Sequence, residues 1–224
     1  MSKLKIYGGA ASSFVRTVRM ACVEKGVDYE LMGVGDGSIA ALKEAEHLAR
    51  HSFGRIPSME HEGFVLFEAA AICRYIDEAF DGPALQPSDV KERAVMTQWI
   101  SALNDYVIPS CIGGLARHYA FPSGPDGKPD MAVIEANTPK VIAHIDIIGK
   151  ALEGKTTLTG DQVTIADLFL LPVFFYVGNV PDGMRFFEGR ENIGRWWHGM
   201  VERESYEQTR PGPPPAQVEK KRAS

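Results

Sequence analysis

The residues with most chemical promise come early. Gly8-Gly9-Ala10-Ala11-Ser12-Ser13 follows the short apolar alternation of Leu4 and Ile6, and precedes Phe14, Val15, Val18, Met20, Ala21 and Val23, which recur at near-helical spacing. A run of small residues between a strand and a helix lets a ligand approach the backbone. The helix start adds unpaired N–H groups and a partial positive charge, a setting that welcomes an anion. Ser12 is placed to donate its hydroxyl to such an anion. No His, Asp or Glu stands nearby in sequence to serve it as a base, so it reads as a hydrogen-bond donor rather than a nucleophile. The plainer reading is that Ser12 and Ser13 only cap the helix. The run is not a phosphate loop, because the closing Gly-Lys-Ser/Thr is missing.

Two further segments favour a ligand. In Gly54-Arg55-Ile56-Pro57 a proline precedes a strand, and a cis bond there would turn the Ile56 backbone outward as a docking edge for a peptide-like ligand. In Phe67-Glu68-Ala69 a carboxylate stands between a strand end and a helix start. Glu68 can receive an ammonium group while the Ala69 N–H holds a carboxylate, so one amino-acid head group satisfies both.

These residues need a scaffold, and the chain supplies one. A strand, a glycine turn and a helix to Lys25-Gly26 are followed by a second strand within 27–34 and a helix capped by Ser38 and running to about Ala49. A hairpin turning at Glu62-Gly63 and a helix over 68–80 complete the set. The order βαβ, α, ββα requires a mixed sheet, because 60–63 is too short for a crossover helix. Asp81-Gly82-Pro83 to Gln86-Pro87 reads as a linker. Beyond it the period is helical, through Val90 to Leu103 and again through Val133 to Leu152, with 122–129 as a break. Thr164 with Asp167 three residues on marks a helix cap, read as structural, with Val163 placed to staple against Leu168. The Pro-rich end and its basic residues read as a mobile tail.

Composition narrows the function. The 224 residues carry 24 Lys+Arg against 29 Asp+Glu, a formal charge of −5. From Arg210 onward four basic residues face one acidic residue, which leaves −8 on the remainder and argues against nucleic-acid binding. Three cysteines without a CxxC fit a reducing compartment, and no apolar run has the length of a membrane span or a signal peptide. The expectation is a cytoplasmic protein. Cys22 and Cys73 read as core. His47 and His51 share the four-residue spacing of zinc ligands, but Leu48 stands where the zincin glutamate belongs and no third ligand is evident, so they read as solvated or loop-bracing. Tyr106, Ser110, Gly114 and His118 share a helix face that suits either a pocket or ordinary packing. Trp99, Trp196 and Trp197 read as packing residues.

Tyr7 to Arg19, Phe53-Gly54-Arg55-Ile56-Pro57, Phe67 to Ile72 and Thr164-Ile165-Ala166-Asp167 together resemble the glutathione S-transferases, especially the serine-type classes (phi, zeta, tau) and their bacterial relatives, over about residues 1 to 207. The resemblance implies an α+β chain: a thioredoxin-like glutathione-binding domain over 1–81, a linker over 82–89, an all-α substrate domain over 90–207 and a disordered tail over 208–224. It implies a homodimer, glutathione as co-substrate, no metal and no membrane or nucleic-acid partner. Conjugation of a small hydrophobic electrophile is the implied reaction; a glutathione-dependent isomerase or peroxidase, or a non-catalytic glutathione-binding or regulatory relative, are the alternatives. Ser12 takes the place of the thiolate-stabilising serine, with Ser13 as fallback. Ile56, Pro57, Glu68 and Ala69 map onto the cysteinyl and γ-glutamyl contacts, Lys43 and Arg55 onto the glycyl carboxylate. Ala11, Tyr106, Ser110, Gly114 and His118 face the electrophile. Two departures stand out: Ala69 replaces a serine, and His51-Ser52 replaces the Asn-Pro of the family's loop.

Overall fold

The computed structural model describes residues 3–212. Its first eighty residues form a four-stranded sheet, β1 (Leu4–Tyr7), β2 (Tyr29–Met32), β3 (Ser58–His61) and β4 (Phe64–Phe67), in the spatial order β2-β1-β3-β4. β1 runs parallel to β2 and antiparallel to β3, which pairs antiparallel with β4 across the Glu62-Gly63 turn. The sheet is therefore mixed, as the short 60–63 connection demands.

Strand alternation divides the two faces. Leu4, Ile6 and Met59 point into the main core with Val15, Val18 and Cys22 of α1 (Ser13–Lys25) and Ile72, Cys73 and Ile76 of α3 (Ala69–Ala79). Tyr7 points to the other face, where it joins Val34 and Ala41 in a small second core. The single helix expected over 38–49 is two pieces. Ser38 Oγ accepts from Ala41 N at 3.2 Å and opens a 3₁₀ turn over Ala40–Lys43, then Glu44 leaves helical geometry (φ −68°, ψ 146°) before α2 (Ala45–Arg50) begins.

From Val90 on the chain is helical: α4 (Val90–Ala102), α5 (Arg117–Ala120), α6 (Met131–Ala151), α7 (Ile165–Gly178), α8 (Glu191–Val201) and α9 (Glu204–Thr209). Between α4 and α5, Leu103–Val107 and Pro109–Ala116 wind as π-helix, with a wider turn than the α-helix assumed for the Tyr106–His118 face. α7 is buried nearly all round and packs against α1, so both halves share one core. α9 includes Gln208 and Thr209, which the sequence reading assigned to the tail; Thr209 is buried because its hydroxyl meets Arg16 Nε at 3.4 Å. The rest of the anticipated tail, from residue 213, lies outside the described residues. No helix among the described residues is long and apolar enough to cross a membrane.

Candidate active site

A cavity of about 310 Å³ opens where the β1–α1 loop, the loop before β3 and the start of α3 meet. It is lined by Phe14, His51, Phe53, Arg55, Ile56, Pro57, Glu68 and Ala69. Five of these, Arg55 through Pro57 with Glu68 and Ala69, are residues that sequence reasoning selected. Phe14 and Phe53 it passed over, and His51, read there as solvated or loop-bracing, is only 2% exposed. The signal for Phe14 and Phe53 was adjacency to the small-residue run and to the Gly54–Pro57 loop.

The lower wall is backbone. The Ile56–Pro57 bond is cis, and Ile56 precedes β3, so its N–H and C=O take no part in the ladder or in any other hydrogen bond among the described residues. Two glycines bring this edge against its neighbours. A Cβ on Gly8 (φ 152°) would fall 2.5 Å from Val15 Cγ2, and one on Gly54 (φ 58°) would fall 2.5 Å from the Leu42 carbonyl oxygen. His47 is buried and its Nε2–H donates to the Arg55 carbonyl at 2.8 Å, so it braces this loop rather than meeting solvent.

Charges flank the opening. Glu68 is exposed, takes φ 74° although it is not glycine, and precedes α3, whose first turn has no side-chain cap. Its carboxylate makes no hydrogen bond or ion pair among the described residues, and neither does the exposed Arg55 guanidinium on the other wall. Lys43 is exposed nearby, its Nζ donating to the Phe53 carbonyl at 3.3 Å. An anion, a cation, a free backbone edge and an open helix start thus surround one peptide-sized cavity.

Ser12 stands beside the lining rather than in it, two residues before Phe14. It is the N-cap of α1, and its Oγ accepts from Val15 N at 3.4 Å. Accepting uses a lone pair and leaves the hydroxyl hydrogen free to donate. Ser12 N closes a turn onto the Gly9 carbonyl at 3.0 Å, and Tyr176 of α7 donates its hydroxyl to the Ala11 carbonyl at 2.5 Å, so the helical half holds the loop in place. Nothing local in the sequence could link Tyr176 with Ala11, 165 positions apart. Ser13 is a poorer candidate: only 8% of it is exposed, within the first turn of α1.

The face assigned to the electrophile divides. Ala11 and Tyr106 are exposed, Tyr106 at 62%. Ser110 is buried and bonded to His144 Nδ1 at 2.8 Å and to the Val107 carbonyl at 3.0 Å, and a side chain at Gly114 would run into Asn137. Ser110 and Gly114 therefore bind the π-helical segment to α6 instead of lining an open cleft. His118 is half-buried. All three cysteines are buried free thiols, and burial pushes Cys22 and Cys111 up to about 12, out of the range of a working nucleophile. Among the described residues no group of three or more His, Cys, Asp or Glu could hold a metal ion.

This combination, a thioredoxin-like sheet with a cis-proline edge followed by a helical half packed on its first helix, is the fold of the glutathione S-transferases. Comparison with known proteins agrees. Residues 2–78 match the glutathione S-transferase N-terminal domain and residues 115–204 the C-terminal domain. The chain is 28% identical to glutathione S-transferase F12 of Arabidopsis thaliana over 205 residues, 91% of this chain and 95% of that protein. The crystal structure of glutathione transferase F2 from Populus trichocarpa superposes with a TM-score of 0.83 at 34% identity, covering 92% of this chain and 96% of that one. A glutathione S-transferase I bound with the ligand lactoylglutathione superposes at 0.81 with 25% identity, covering 93% and 98%. The chain belongs to the glutathione S-transferase family.

Proposed function

We propose that the protein binds glutathione in the cavity between Ile56 and Glu68 and transfers its thiolate to a small hydrophobic electrophile, with Ser12 as the catalytic residue in a serine-type enzyme of the phi, zeta or tau kind. The observation that carries this is the Ser12 hydroxyl, which accepts from Val15 N–H and keeps its own hydrogen for an anion at the start of α1. A free thiol with a pKa near 8.5 is mostly protonated at neutral pH. One donated O–H together with a helix N-terminus favours its ionised form.

The tripeptide is read across the cleft. Glu68 receives the γ-glutamyl ammonium and the Ala69 N–H its carboxylate; Ile56 pairs with the cysteinyl backbone beside Pro57; Arg55 and Lys43 meet the glycyl carboxylate. Ala11, Tyr106 and His118 face the electrophile. The exposed apolar side chains of Phe53, Phe64 and Val65 support a homodimer, and three free thiols suit a cytoplasmic setting.

Retention on immobilised glutathione followed by a conjugation assay with a generic aryl halide tests the reading. Ser12→Ala is expected to lower kcat/KM by roughly tenfold to a hundredfold, the scale of a hydrogen bond to a charged group, while the circular dichroism spectrum is unchanged. Wild-type turnover in that variant would remove Ser12 from the mechanism.

A further inference from the structure

His51 closes α2 and is only 2% exposed, yet neither ring nitrogen has a hydrogen-bond partner among the described residues. Nδ1 is fully enclosed. Nε2 is not, and the ring forms part of the cavity wall with Glu68 and Ala69. The imidazole is held by aromatic packing, its centroid 4.7 Å from that of Phe67 and 6.5 Å from that of Phe53. A buried imidazole with no partner carries a desolvation cost that the protein itself does not offset, and such a group in a ligand cavity marks a ligand contact. The only side chains at the start of α3 on the same wall are the Ala69 methyl and the anionic Glu68, so a ligand carboxylate there meets no other side-chain donor.

We propose that His51 donates its Nε2–H to the carboxylate of the amino-acid head group seated between Glu68 and the start of α3. The inference rests on the glutathione reading above and adds to it a specificity residue for the γ-glutamyl unit. The groups facing the ring are Glu68, which favours its protonation, and His47 and Arg55, which oppose it; burial, the largest effect, keeps the ring neutral in the empty site. A neutral ring carries one proton, and with Nδ1 enclosed and without an acceptor that proton belongs on Nε2, the nitrogen that reaches the cavity.

Calorimetric titration of the full chain with glutathione, and separately with the dipeptide Cys-Gly, which lacks the head group, tests this. Wild type should bind glutathione more tightly than the dipeptide. His51→Phe keeps the ring packing on Phe67 and should weaken glutathione about tenfold and leave the dipeptide unaffected. Equal affinities of wild type and variant for glutathione, or an equal loss for both ligands, would overturn the proposal while leaving glutathione binding intact. Failure of wild type to bind glutathione at all would instead overturn the function from which it starts.

Discussion

In the proposed mechanism Ser12 is both helix cap and catalytic donor, and the two roles do not compete. As N-cap it uses a lone pair, and as thiolate donor it uses the hydrogen, so one hydroxyl serves both ends. Substitution separates the roles. Ser12→Asp keeps a good N-cap and a favourable charge at the helix start, so thermal stability should hold within about 1 kcal/mol. Its carboxylate would face the sulfur, raise the thiol pKa and abolish turnover at neutral pH. A Ser12→Asp enzyme that stayed active would show that the cap alone matters. Glu68 permits a similar separation. Its φ of 74° is a conformation that costs a non-glycine residue roughly 1 to 3 kcal/mol and is characteristic of ligand clamps. Glu68→Gly should therefore raise the melting temperature modestly while weakening glutathione binding measurably by calorimetry. A variant that lost stability would show that the side chain, not its ligand, holds this turn.

Among the elements, the start of α7 does more than the capping signal suggested. Asp167 is fully buried; its carboxylate accepts from Thr164 N at 3.0 Å, from Thr164 Oγ1 at 3.1 Å, from Leu158 N at 2.9 Å and from Trp196 Nε1 at 2.9 Å. Thr164 and Asp167 were legible because the cap is written in four consecutive residues, Thr164 to Asp167. The Trp196 contact was not, since α8 reaches α7 only in the folded chain. The same distinction runs through the site: Ser12, Ile56, Pro57 and Glu68 lie in segments whose turn chemistry is local, whereas Tyr176 and His51 matter through contacts that depend on packing. Ser110 and Gly114 were assigned to the electrophile, but contacts with His144 and Asn137 of α6, remote in sequence, turn that part of the face into packing. Burial raises the Asp167 pKa even against four donors, so its ionised form weighs against stability as pH rises. Asp167→Asn would nonetheless destabilise, because its NH₂ must face N–H or O–H donors and leave at least one buried group unpaired, at about 1 to 3 kcal/mol. Denaturant unfolding should show a lower midpoint with an unchanged slope.

At the scale of the whole molecule, α1 is the shared part: its N-cap is Ser12, the proposed thiolate donor, and its body holds the C-terminal helix. The fully buried Arg16 guanidinium lies 4.5 Å from the Phe175 ring centre and 4.8 Å from that of Tyr206, and donates to the Tyr206 carbonyl at 3.2 Å. Arg19 donates to the Gln208 and Thr209 carbonyls, both at 3.3 Å. These arginines satisfy the open carbonyls at the end of α9. Glu24 at the other end of α1 completes the attachment, accepting from Arg203 Nε at 2.7 Å and from Ser205 Oγ at 2.5 Å. Burial works to raise the Glu24 pKa, but the hydrogen bonds from Arg203 and Ser205 outweigh it and hold the carboxyl below its usual range. A carboxylate depressed in the folded state contributes stability that is fully present above its unfolded pKa, near 4.3, and is lost as pH falls through the folded value. Wild type should therefore lose stability below about pH 4 more steeply than Glu24→Gln, and the two curves should converge in acid. At neutral pH the variant should be the less stable, and because α9 is anchored on the helix that presents Ser12, turnover should fall with it near the melting transition rather than at 25 °C. Parallel acid-titration curves for the two proteins would show that the Glu24–Arg203 contact adds nothing to the joint between the two halves.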